Sequence, residues 1–531
     1  MSAGSLGLTT AEFTFRYRWI ILFGLMIAAI MEVLDTTIIN TALPQMAGNL
    51  GATSEEIGWV STGYILANVI VLPMTAWLSF RFGRKRYLMA SIILFTVSSF
   101  FCGVSNSLNE LVFWRILQGA GGAALLSTGQ STLREIFPRE QQGIVQTIFV
   151  MGIIAAPTLG PTAGGWLTDN YHWHWCFLIN IPLGVLALGL VGSFLQDSEY
   201  AFKNLGVDWF GLILLAVSLG SLQYVLEEGN AKEWLEDPTI LKLSAVIAVS
   251  LPLLLWWQLS ARNPSPVVNL RILKNRDLSA ALALFLALGF GLYGGVFVFP
   301  LFAQNVLHLT ATETGLALFP GGLATLVSAI ISGRLLSGKK QLVDPRVFIV
   351  LGISLFAVGM LQLAQLPSTS GRGDTMTGLL LRGFGLGMLF TPINLAAFSS
   401  LKGAEIAQAA GLLNLSRQLG GSFGIAILST YVTRQTSAAR ADLVTNTYIG
   451  NSALDQRWQQ LTHLFVSKGF SLPDAQRAAL AMIDRSVNAQ ASTLAFNQAF
   501  YLIFWSMLAV APAVLLIRKS RPSSESASAG H

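Results

Sequence analysis

The sequence predicts an all-α membrane protein, and three observations predict it. Charged residues make up 11% of the 531-residue chain and hydrophobic ones 53%, against about 25% charged in an ordinary soluble domain. The apolar residues fall in runs of about 20, the length that carries a helix across a bilayer. Lysine and arginine collect in alternate short connections, as they do on the cytoplasmic side of membrane proteins. Lipid offers a bare peptide group no partner, so the runs must be helices that satisfy their own backbone.

Fourteen spans are expected, near 19–41, 57–79, 87–105, 109–133, 144–168, 174–195, 207–226, 239–258, 279–303, 312–337, 345–365, 374–398, 405–432 and 495–517. With the N-terminus inside, the inner segments, among them "FRYR", "RFGRKR", "LREIFPRE" and "NLRILKNRD", hold 21 Lys and Arg. The short outer loops hold three, Lys232, Lys242 and Arg372. Both ends then lie in the cytoplasm. The net charge of +6 is thus a record of topology and asks for no nucleic-acid partner. Cys102 and Cys176 stand alone in separate apolar runs, so no disulfide or thiolate metal site is expected. The first run is too long and too acidic for a signal peptide and reads as a retained span.

Internal repetition sets the architecture. "LVFWRILQGAGGAAL" in the fourth span and "GLLLRGFGLGMLF" in the twelfth each put an arginine, Arg115 and Arg382, ahead of closely spaced glycines. "LGPTAGG" and "LGGSFGI" match at an offset close to 260, and "SFRFGRKR" is echoed by "SGRLLSGKK". The chain therefore divides into a cytoplasmic segment 1–18, a six-helix bundle 19–200, inserted helices 7 and 8 over 201–262, helices 9–13 of a second bundle over 263–432, a long outer loop 433–494, helix 14 over 495–517 and a cytoplasmic tail 518–531. The two bundles are pseudo-symmetric.

Glu32 and Asp35 fall inside the first span, three residues apart, so a helix puts them with Thr36 on one stripe. Each carboxylate at mid-span costs on the order of 3 kcal/mol, which turns the stripe away from lipid and toward a cavity between bundles. Burial and like charge there favour a bound proton on one of them; a structural pair held by a cation or hydroxyl is the alternative. Arg115, with Gln118 one turn on, is either a pin fixed on carbonyls or a group that trades contacts with an acid. Gln118, Arg382, Asn414 and Arg417 are secondary candidates, with packing or an ion pair as the plainer role of the two arginines. "APTLGPTAGGW" sets Pro157, Gly160, Pro161, Gly164 and Gly165 in one span. Gly160 and Gly164 allow close helix approach and the prolines remove helix bonds, which suits a hinge or seal. Arg81, Gly83, Arg84, Lys85 and Arg86 form a basic inner loop, with Gly83 at a tight turn. "DNYHWHW" spaces His172 and His174 so that a helix would part them, and its aromatics suit an interfacial belt. No metal site, cofactor, nucleophile elbow or nucleotide fingerprint is read in the chain, and no catalytic residue is assigned.

These motifs resemble the major facilitator superfamily, and within it the fourteen-span drug:proton antiporters of the EmrB-like subfamily. "LDTTIINTALP" is similar to the family's first-span signature, "RILQGAGGA" to its fourth-span motif and "GPTAGG" to the antiporter motif of the fifth span. "DNYHWHWCFLINIPLG" and "EEGNAKEW" narrow the resemblance to EmrB-like proteins. The loop motif departs from the superfamily pattern: Ala76 and Phe80 stand where Gly and Asp are usual, so the relay attributed to that Asp cannot operate. EmrB-like proteins often lack it as well. The resemblance implies the major facilitator fold and proton-driven export of hydrophobic, often aromatic drug-like compounds from the bacterial inner membrane by alternating access. It also implies a periplasmic adaptor, or membrane fusion protein, and an outer-membrane channel. The outer segment 433–494, in which "DQRWQQLTHLFVSKGF" and "LPDAQRAALAMIDRSVNAQ" read as helical, is then a docking surface or a solvated lid. A dedicated exporter of one metabolite or antibiotic, an importing symporter, and a non-transporting sensor or scaffold are the alternatives.

Overall fold

A computed structural model describes residues 10–197, 206–336, 344–401, 403–445 and 451–518, and every regular element among them is helical. The first part of the chain forms α1 (Thr10–Ile38), α2 (Leu43–Leu50), α3 (Ser54–Val71), α4 (Thr75–Phe82), α5 (Arg84–Cys102), α6 (Leu108–Ile136), α7 (Gln142–Asn170), α8 (Trp175–Leu178) and α9 (Asn180–Phe194). It continues through α10 (Trp209–Glu228), α11 (Pro238–Leu259), α12 (Arg276–Asn305), α13 (Ala311–Leu335), α14 (Pro345–Leu363), α15 (Arg372–Phe398), α16 (Ala404–Thr445), α17 (Ser452–Ser467) and α18 (Leu472–Val510).

Helix starts are written in local sequence. Thr53 and Glu56 close a reciprocal cap on α3, and Thr310 and Glu313 repeat it on α13. Asp237 caps α11, and the amides of Ile240 and Thr239 hold its carboxyl below the ordinary aspartate range. Gly83 turns the chain between α4 and α5 at φ +88°, a conformation that side chains with a Cβ resist. The expected second span is not one rod, because Pro73 sits in a 3-10 turn, Leu72–Met74, that separates α3 from α4.

Eleven helical stretches are long and apolar enough to cross a membrane. Helix also covers the expected spans at 109–133, 144–168 and 405–432, which lie outside those eleven. In α6 the reason is visible: Gly119, Gly122, Ser127, Gln130 and Thr132 lower its hydropathy, and all are buried against protein. α9 and α11, by contrast, present Val185, Leu186, Val249 and Trp256 outward, as a lipid-facing surface requires.

One hydrophobic cluster joins α1, α5, α6, α7 and α9 around Leu25, Phe95 and Phe149. A larger one joins α12, α14, α15, α16 and α18 around Phe285, Phe302, Phe356 and Phe500, with Val69 of α3 and Val150 of α7 reaching into it. The expected long loop 433–494 is mostly helix. α16 continues to Thr445, α17 follows, and α18 begins at Leu472, far ahead of the span expected at 495. Ala-rich stretches such as "TSAARADL" and "AQRAALAM" favour helix, and Asn451 and Ser471 cap the new starts. Residues 446–450 of that segment, the tail beyond 518 and most of the "SGKK" echo lie outside the described residues.

Candidate functional site: a buried charge pair between α1 and α6

The glycines of α6 bring its neighbours close enough to build the site. A Cβ on Gly119 would run into the Tyr64 carbonyl of α3, and one on Gly121 would lie 2.8 Å from the Phe95 nitrogen of α5. α6 therefore packs backbone to backbone on both sides of its arginine.

Arg115 is almost completely buried. Its Nη1 donates to Asp35 Oδ2 at 2.5 Å and to Gln118 Oε1 at 2.8 Å, and its Nε donates to the Val60 carbonyl at 2.8 Å. The guanidinium lies 4.3 Å from the Tyr64 ring centre and 5.7 Å from that of Phe177. Asp35, at 0% exposure, also accepts from Gln118 Nε2 at 3.0 Å and Asn180 Nδ2 at 2.9 Å. Arg115 thus touches both a backbone carbonyl and an acid in this conformer. A buried pair this fully bonded holds its charges tolerably, whereas removing one partner strands the other.

Glu32 lies one turn away with different company. Its Oε1 accepts from Asn68 Nδ2 at 3.4 Å and its Oε2 from the Leu126 amide at 3.1 Å. Arg417 of α16 acts on it electrostatically from beyond ion-pair distance. The two acids are thus adjacent on α1 but separately held. An apolar cavity of about 390 Å³ lies elsewhere, lined by Leu286 and Phe290 of α12, Phe423 of α16 and Val510 of α18.

The secondary candidates fall apart into distinct roles. Arg382 of α15 donates to the Leu292 carbonyl at 3.2 Å and packs on Gly295, with no acid partner among the described residues. Arg417 donates to the Tyr293 hydroxyl at 2.5 Å. Asn414 reaches Gln130 of α6 at 3.0 Å. Gly160 and Gly164 do meet another helix, since a Cβ there would strike Thr37 or Thr41 and Ile38 of α1, while Gly165 faces open space. The side chains of Pro157 and Pro161 lie outside the described ones. In the basic loop, Arg84 pairs with Glu135 at the end of α6, and the Lys85 amide donates to Asp197 at 2.9 Å. Arg81 and Arg86 also take part in interactions. Sequence reading missed Asn68, Asn180 and Glu135, single polar residues with no spacing pattern to mark them.

Contacts between the two hydrophobic clusters gather toward one end. There Thr147 of α7 donates to the Ala329 carbonyl of α13 at 3.2 Å and meets the Thr391 hydroxyl of α15 at 3.3 Å. The Gln130–Asn414 bond lies in the same half of α6, and Arg134, near the end of α6, sits over the Phe398 ring at 5.7 Å.

The comparisons with known proteins follow this geometry. The Major Facilitator Superfamily model matches residues 25–425. The multidrug export protein EmrB of Haemophilus influenzae is 32% identical over 482 residues, covering 90% of this chain and 91% of that protein. The fatty acid resistance protein FarB of Neisseria gonorrhoeae is 30% identical, covering 97% of this chain and 98% of that one. A crystal structure of the human organic anion transporter MFSD10 (TETRAN) superposes with a TM-score of 0.55 at 13% identity, over 94% of this chain and 99% of that chain, a likeness of fold. With its helical spans and these matches, the chain is a multi-pass membrane protein that belongs to the Major Facilitator Superfamily, among EmrB-like members.

Proposed function

We propose that the chain is a proton-driven multidrug exporter of the bacterial inner membrane. It crosses fourteen times with both ends in the cytoplasm. α1 to α9 form one bundle, α12 to α16 with the second half of α18 form its pseudo-symmetric partner, and α10 and α11 are the insertion. The export of drug-like compounds rests on the likeness to EmrB proteins. The coupling rests on one observation: a carboxylate with no exposure, Asp35, bonded to Arg115 inside a helix bundle.

Protonation of Asp35 would cancel the charge attraction and leave the guanidinium to Val60 and Gln118, which loosens α1 from α6. Glu32, under the influence of Arg417 from α16, would relay that change to the second bundle. Gly160, Pro161 and Gly164 carry the α1–α7 seal, with Pro157 and Gly165 beside them. One charge crossing about 100 mV supplies roughly 2.3 kcal/mol, enough for a concentration ratio on the order of 50. The contacts through Thr147, Gln130 and Arg134 then mark the cytoplasmic gate, closed in this conformer. The helices replacing the 433–494 loop are the docking surface for a periplasmic adaptor that leads to an outer-membrane channel. The test is dye or drug uptake into inverted vesicles under an imposed pH gradient. Gradient-dependent uptake that disappears in Asp35→Asn supports the proposal; uptake indifferent to the gradient overturns it.

A further inference from the structure

Gln146 of α7 and Asn394 of α15 are fully buried, and neither the amide oxygen nor the amide nitrogen of either has a hydrogen-bond partner among the described residues. Buried amides are nearly always paired, because losing water without a replacement bond is costly. Gln130 and Asn414, at the same interface, obey that rule by bonding each other.

The two orphans flank one contact on the same side. Thr147 and Thr391 touch across the interface; Gln146 is one residue nearer the start of α7, and Asn394 three residues nearer the end of α15. Those helix ends lie together, since Arg134, shortly before α7, sits over Phe398, the last residue of α15. Both amides therefore lie between the threonine contact and the proposed cytoplasmic mouth. A purely structural seal would be better served by leucines there, which bring no unmet donor or acceptor.

We infer that Gln146 and Asn394 form a polar binding patch of the opposite conformer, reached when α7 parts from α13 and α15. The inference rests on the alternating-access reading above. Each amide offers one donating and one accepting group and no net charge, so the occupant is an uncharged group that does both, a substrate's hydroxyl or amide, or water. A charged headgroup would find no countercharge in the pair.

Two sets of variants test this. Gln146→Cys and Asn394→Cys, in inverted vesicles, are expected to react with a membrane-impermeant maleimide added to the exposed cytoplasmic face, and to do so several-fold faster when the inward-facing state is favoured. Gln146→Leu and Asn394→Leu are then assayed for uptake of two apolar dyes of similar size, one with hydroxyl groups and one without. A KM raised about fivefold for the hydroxylated dye alone identifies the substrate as the occupant. An equal fall in turnover for both dyes, with KM unchanged, identifies water. Wild-type kinetics in both leucine variants, or cysteines that never label, overturn the inference. The labelling needs no proton coupling, so it stands or falls separately from the antiport assay.

Discussion

Arg115 and Arg382 occupy corresponding places in a repeated pattern, and they have different company. Each precedes a glycine stripe, though at different spacing: Gly119, four residues after Arg115, abuts the Tyr64 carbonyl, and Gly383, one residue after Arg382, abuts the carbonyl of Gly321. In α6 the guanidinium meets the carboxylate of Asp35. In α15 it meets the Leu292 carbonyl and packs on Gly295. Among the described residues, close glycine packing accompanies both arginines and an acid accompanies one. What the difference teaches is that the glycines serve helix packing with or without an acid, while on the mechanism proposed above the acid serves the coupling.

The comparison can be broken most directly at Asp35. Asp35→Asn strands a buried guanidinium, with an expected cost of about 3–5 kcal/mol. A large fall in the melting temperature of the detergent-solubilised protein should accompany loss of gradient-driven uptake. Arg382→Gln leaves no acid behind, so its expected cost is about 1–3 kcal/mol, and uptake should still respond to a pH gradient. If the two variants lose coupling alike, the halves are not functionally distinct.

Gly119→Ala and Gly383→Ala sharpen the other side of the comparison. Each Cβ would meet a carbonyl of the neighbouring helix closer than real contacts allow, so both should destabilise by a similar amount, about 1–3 kcal/mol. Unequal shifts in thermal unfolding would show that the shared packing is not equivalent. Glu32→Gln keeps the shape but turns one of the two accepting oxygens into a donor, so it keeps the bond from only one of Asn68 and Leu126. Its stability should fall by about 1–2 kcal/mol, while the pH dependence of uptake flattens. At the foot of the scale, Arg440→Ala removes an exposed pair with Asp484, and a shift of under about 1 kcal/mol with unchanged uptake is expected.

Much of this was legible in the chain because its causes are local. Apolar run length and loop charge locate the helices, and Thr53, Thr310, Asp237 and Gly83 mark where they start or turn through bonds to residues only a few positions away. Glu32, Asp35 and Arg115 stood out because charge is rare in such segments. Asn68, Asn180, Gln146 and Asn394 did not, since a lone amide in an apolar run carries no periodic signal and acquires meaning from what lies opposite. Within 433–494 the helical stretches "DQRWQQLTHLFVSKGF" and "LPDAQRAALAMIDRSVNAQ" were legible as well, and α17 and the first part of α18 cover most of them; the running of α16 and α18 straight into the neighbouring spans was not, since a polar helix that can be solvated carries no apolar signal to mark its continuity.

The sequence by itself determined an all-helical membrane chain and the identity of the charges inside its apolar segments, because transfer cost and backbone satisfaction act on each segment separately. Only the tertiary structure decided that Asp35 rather than Glu32 holds Arg115 and that, among the described residues, Arg382 has no acid and two buried amides have no partners. Those facts depend on which helices are brought together, and glycine contacts between segments far apart in the chain set that distance.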